Sequence, residues 1–110
     1  MPARDVDYKM QLIDPMSKEP AVDVKGNPIT LQHLMYESVT RPQQGDENIP
    51  AGDKMRLHSI AMKIADGKQL KATDLVKVKE RSLKYLSVIA YGILCREISD
   101  ALGEDQEKAD

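Results

Sequence analysis

The sequence has no phenylalanine and no tryptophan, and its 4% aromatic share is carried by four tyrosines. An interior without large rings must be filled by Leu, Ile, Val, Ala and the six methionines, which fill irregular gaps and also adapt to partner surfaces. One cysteine, Cys95, excludes an internal disulfide, and its apolar neighbours make it a small buried side chain in expectation. The longest apolar run, from Leu86 to Cys95, is about ten residues, well short of the ~20 that span a bilayer. The N-terminal residues lack the apolar stretch of a signal peptide. The expectation is a soluble intracellular protein in a reducing compartment, with no membrane partner. A large charge of one sign is also missing: the net charge of −2 gives no global drive toward nucleic acid. Between Thr73 and Leu102 there is no proline and one glycine, Gly92, which excludes frequent chain reversals there.

What is present fits one small domain. The chain has 110 residues, of which 41% are hydrophobic and 31% charged, values that argue against wholesale disorder. Residues 1–6 read as a flexible arm, 7–103 as a single helical domain and 104–110 as an acidic disordered tail, where four carboxylates oppose Lys108. Tyr8, Met10 and Leu12 alternate with Lys9 and Gln11, the period of a half-buried strand. Asp14-Pro15 breaks it, and Ala21–Val24 is a second extended piece ending in the turn Lys25-Gly26-Asn27-Pro28. A β-hairpin resting on helices is the expected product.

Thr30 is an N-cap candidate for a helix over Leu31–Val39, since its hydroxyl can accept from a free N–H of the first turn. Thr40–Pro50 is a long loop. A second helix is expected over Gly52–Asp66, with Leu57, Ile60, Ala61 and Ile64 on one face and Gly67 as its stop. Leu70 tucks in from the connector. Thr73-Asp74 restarts the helix. Leu75, Val78, Ser82, Leu86, Ile89, Ile93 and Glu97 continue along one inward face. As one straight rod these ~30 residues would be ~45 Å long; a bend near Lys84–Ser87 or at Gly92 would shorten it, and one helix or two are both open. The fold class is thus mainly α (α+β): a short N-terminal hairpin and a bundle of three or four helices, with the long C-terminal helix central.

No spacing motif for a metal or cofactor is present: His33, His58 and Cys95 lie on three different expected helices, and none forms an H-x-x-x-H or C-x-x-C pattern. Gly26, Gly45 and Gly67 stand alone, so no phosphate-cradling glycine loop is formed, and G-x-S-x-G is absent. The expectation is a protein that is not an enzyme and carries no catalytic, metal or cofactor residues.

Two surfaces remain. From Lys68 to Lys84 six cations face two carboxylates, a local charge of +4. Lys77, Arg81 and Lys84 fall at i, i+4 and i+7, a stripe suited to a phosphate backbone. Asp74 and Glu80 interrupt it, and no aromatic residues interleave for stacking. Tyr85, Val88, Tyr91, Leu94 and Ile98 point in several directions around one helix, more than a small monomer readily covers, and tyrosine is favoured at interfaces.

Val24-Lys25-Gly26-Asn27-Pro28-Ile29-Thr30-Leu31, then a polar loop, Asp53-Lys54-Met55-Arg56-Leu57, Ala61-Met62-Lys63-Ile64 and the helix start Thr73-Asp74-Leu75 resemble short proteins of tailed bacteriophages and prophages. Lys79, Tyr85 and Gly92 fit the closing helices of that pattern. The resemblance covers residues 7–102, consists of turn and packing motifs, and brings no functional residues with it. It implies a phage accessory protein, in the cytoplasm of a bacterial host cell or associated with the virion. The favoured expectation is a non-enzymatic protein that binds another protein or itself, in virion assembly or in modulation of a host factor. The alternatives are a small DNA- or RNA-binding regulator using Lys77, Arg81 and Lys84, and a ligand-sequestering oligomer with Arg41 and Lys54 on a phosphate.

Overall fold

The computed structural model describes residues 5–103. The acidic tail at 104–110 and most of the N-terminal arm, residues 1–4, lie outside the described residues. Among the described residues four helices follow one another: α1 (Leu31–Thr40), α2 (Ala51–Ala65), α3 (Ala72–Tyr85) and α4 (Val88–Leu102), with one 3-10 turn at Asp46–Asn48 in the loop between α1 and α2.

The expected hairpin is not formed. Among the described residues there is no strand; three isolated antiparallel bridges join Gln11 to Thr30, Ile13 to Pro20 and Val22 to Pro28. Pro20 and Pro28 each occupy one side of a bridge at a position whose N–H the pairing does not use: backbone bonds lie on both sides of each, Asp14 N–H to Glu19 O and Ala21 N–H to Leu12 O around Pro20, Asp23 N–H to Asn27 O and Ile29 N–H to Ala21 O around Pro28. The segment folds as a coil instead, with Leu12 N–H donating to Ile29 O and Ala21 N–H to Leu12 O. The turn at Gly26 is as expected: its φ of +85° suits glycine, and the Asp23 carboxylate accepts from the N–H groups of Lys25 and Asn27.

Residue 6 is not loose. Val6 is buried, and its N–H and C=O are held by the Gln69 amide at 2.8 and 3.0 Å. Tyr8 is buried beside it, donating its hydroxyl to Lys68 O at 2.6 Å. The N-terminal segment is thereby fastened to the connector between α2 and α3.

Thr30 caps α1, its hydroxyl accepting from His33 N–H at 3.3 Å. On α2 the buried residues are Leu57, Ile60, Ala61 and Ile64, the face given by the i, i+3, i+4, i+7 spacing. Gly67 follows with φ +73°, the left-handed conformation that stops a helix. The start of α3 differs from expectation: Lys71 occupies the cap position with no side-chain bond, and Thr73 lies inside the first turn.

The stretch from Thr73 to Leu102 is two helices. Leu86 is extended, and Ser87 begins the second helix, its hydroxyl accepting from Ala90 N–H at 3.4 Å. The C-terminal helix is not the centre of the bundle; that place belongs to α1, which packs against α2, α3 and α4. The core is built around Leu31, Met35, Ile60, Ile64, Leu75, Leu94 and Ile98. Among the described residues no helix is long and apolar enough to cross a membrane.

Candidate functional site

The break at Leu86–Ser87 decides which side of α4 faces the core. Extending the buried face of α3 (Leu75, Val78, Ser82) along an unbroken helix leads to Ile89, Ile93 and Glu97. The observed buried set is Ala90, Leu94, Ile98 and Ala101, with Glu97 and Ser99 at its edges, so the core face lies about one residue later. Ile89 and Ile93 therefore border solvent.

They line a cleft of about 560 Å³ whose opposite wall is the N-terminal coil. Val88, Ile89, Gly92 and Ile93 form one side, and Met10, Ile13 and Pro15 the other. Val88 is 86% exposed and Ile89 50% exposed, and Ile13 is also exposed. Arg96, Glu97 and Asp100 bring charge to one end of the cleft. Glu97 is itself buried and accepts from Asp7 N–H at 3.2 Å, which ties the coil to α4.

Of the five residues expected at an interface, Val88 is at the cleft and Tyr85 is exposed at the end of α3. Leu94 and Ile98 are fully buried in the core, and Tyr91 is partly buried. The Tyr91 phenol is pushed above its ordinary range by its hydrogen bond with Cys95 and by burial. Sequence periodicity misses Ile13 and Met10 as cleft residues because nothing local to them indicates α4 as their neighbour.

The basic stripe is not one open face: Lys84 is exposed and Lys77 half-buried, but the residue between them is held inside. Arg81 is 9% exposed; its guanidinium donates to Asp46 Oδ1 at 2.6 Å and Oδ2 at 3.3 Å, to Val39 O at 3.1 Å and to Arg41 O at 3.3 Å. The Arg81 bond holds the Asp46 carboxyl below the usual carboxylate range. Lys77 sits 3.8 Å from Glu80. All three stripe residues line a smaller cleft against the 43–49 loop. A further cleft of about 570 Å³ lies on the other side of Arg81, with Lys54 and His58 from α2 and Tyr36 from α1. Arg41 is directed elsewhere, paired with Glu37, and Glu37 also takes His33 Nε2 at 3.1 Å. Hydrogen bonding to Arg41 lowers the Glu37 pKa.

Among the described residues no group of three His, Cys, Asp or Glu side chains stands close enough to hold a metal ion. No protein-family model matches the chain, and neither a curated protein nor a solved structure does.

Proposed function

We propose that this chain is a non-enzymatic accessory protein that works by binding another protein through the cleft between α4 and the N-terminal coil. The observation that carries the reading is the placement of Val88 and Ile89: two large apolar side chains exposed side by side at the start of a helix whose opposite face is core. Burying a side chain of this kind is worth about 1.5–3 kcal/mol, which is the usual driving force of an interface anchor. The apolar walls suit an apolar segment of a partner.

A bacteriophage or prophage setting, in virion assembly or modulation of a host factor, is supported by the turn and helix-start motifs between Val24 and Leu75. The nucleic-acid reading is weaker because Arg81, the middle of the stripe, is buried on Asp46.

The test is the exposed double variant Val88→Glu/Ile89→Glu. Light scattering reads self-association, and a pulldown from host cells followed by reconstitution with the purified partner reads heterologous binding. Loss of either in the variant, with its melting temperature unchanged, supports the reading. A wild-type chain that stays monomeric and retains nothing that the variant loses would sink it.

A further inference from the structure

Two buried side-chain polar atoms among the described residues have no hydrogen-bond partner: Gln43 Oε1 and Arg81 Nε. Such atoms are rare in folded proteins because each carries an unmatched desolvation penalty, and they call for a ligand or an ordered water. Both belong to residues that line the same cleft, of about 210 Å³, between the 43–49 loop and α3. One is an acceptor and the other a donor. The Gln43 amide is fixed in its orientation: its Nε2 donates to Ser38 O at 3.0 Å and to Arg81 O at 3.2 Å. Turning the amide over would set oxygen against two carbonyl oxygens, so the acceptor is the end left without a partner.

The charges of the cleft favour an anion. Lys77, Arg81 and Lys84 face Asp46 and Glu80, a surplus of one positive charge. Asp46 is already taken by Arg81 and by Gln43 N–H at 2.9 Å, and Glu80 lies near Lys77. Lys84 has no hydrogen bond or ion pair with the described residues. The volume is roughly seven times a water's share of the liquid, about 30 Å³.

We propose that this cleft binds a phosphate group that carries a proton. Its anionic oxygens would accept from Arg81 Nε and the Lys77 and Lys84 ammonium groups, and its P–O–H would donate to Gln43 Oε1. This assigns the stripe to a small anion in place of a nucleic-acid backbone. It also predicts selectivity, because sulfate is matched in shape but has no proton to give to Gln43.

The full chain is titrated at about pH 6, where phosphate and its monoesters still hold a proton. Inorganic phosphate, methyl phosphate and sulfate are compared at matched ionic strength by calorimetry and by thermal shift. The proposal expects phosphate to bind roughly tenfold tighter than sulfate, the scale of one unmet hydrogen bond. Equal or tighter binding of methyl phosphate assigns a monoester; its exclusion assigns the free ion. The variant Lys77→Gln/Lys84→Gln, changed at the rim, should lose at least about tenfold in phosphate affinity while melting as the wild type does. In Gln43→Met, which removes the acceptor, the preference over sulfate should vanish. Equal response to phosphate and sulfate, no binding of either, or a response unchanged in the lysine variant would overturn the proposal. The lysine variant carries the test if Gln43→Met does not fold.

Discussion

Replacing Arg81 by Met keeps the stem and removes the guanidinium. In the wild type that group bonds the Asp46 carboxylate and the main-chain oxygens of Val39 and Arg41, so it fastens the end of α1 and the 3-10 turn to α3. Asp46 keeps partial exposure and can rehydrate when left alone, whereas the Val39 carbonyl bond is buried and its acceptor would be stranded. A charge-assisted bond is worth about 1.5–3 kcal/mol, and stranding a buried acceptor costs about 1–3 kcal/mol. With the Met stem regaining some apolar contact, the net loss should be about 2–4 kcal/mol. For a domain of this size that lowers the melting temperature by roughly 8–20 °C. Arg81→Lys should fall between, since one ammonium cannot reproduce the fork. Urea unfolding followed by circular dichroism gives the free energy, and limited proteolysis between Gln43 and Pro50 reads the loosened loop. A loss under about 0.5 kcal/mol is what a solvated surface cation gives, and it would refute the buried role of Arg81.

Other predictions follow from the same geometry. Leu94→Ala should cost about 2–5 kcal/mol in denaturant unfolding, whereas Val88→Ala, six residues earlier in the same helix, should stay within about 0.5 kcal/mol. Equal effects would contradict the assignment of the two faces of α4. Burial raises the Tyr8 pKa from 10.0 to about 12. Folding therefore favours its protonated form, a contribution present below pH 10.0 and lost as pH rises toward about 12. Tyr8→Phe should flatten that alkaline loss in a melting profile, and an unchanged profile would contradict the docking of Tyr8 on Lys68. The lowered pKa values of Asp46 and Glu37 act at the other end: their contribution is complete above the ordinary values of 3.8 and 4.5 and disappears as pH falls below them. Asp46→Asn should reduce the acid sensitivity of melting.

Local signals were legible where the structure they produce is local. Thr30 as a cap, the buried face of α2, the stop at Gly67 and the inward Leu70 all follow from spacing and backbone preference over a few residues. The coil at 8–28 was misread because alternation at Tyr8, Met10 and Leu12 matches a strand, whereas the chain pairs only at single positions, with Leu12 shared between Ala21 and Ile29. The α4 face was misplaced by about one residue because the break at Leu86–Ser87 resets the helical phase, and periodicity carried across it points to Ile89 and Ile93. Arg81 looked like one cation in a surface stripe because its partner, Asp46, lies in a loop 35 residues away. No local pattern encodes that pairing. The candidate cleft is equally non-local, since Ile13 and Val88 meet only after folding.

If the exposed apolar start of α4 is where a protein partner docks, a crosslinker set there should capture that partner. A photo-crosslinking amino acid placed at Val88, compared with one at the exposed Val24 outside the cleft, tests it most directly. Docking there gives a discrete crosslinked species, a second copy or another protein, from position 88 and none from position 24. No species from position 88, or the same species from both, would contradict it.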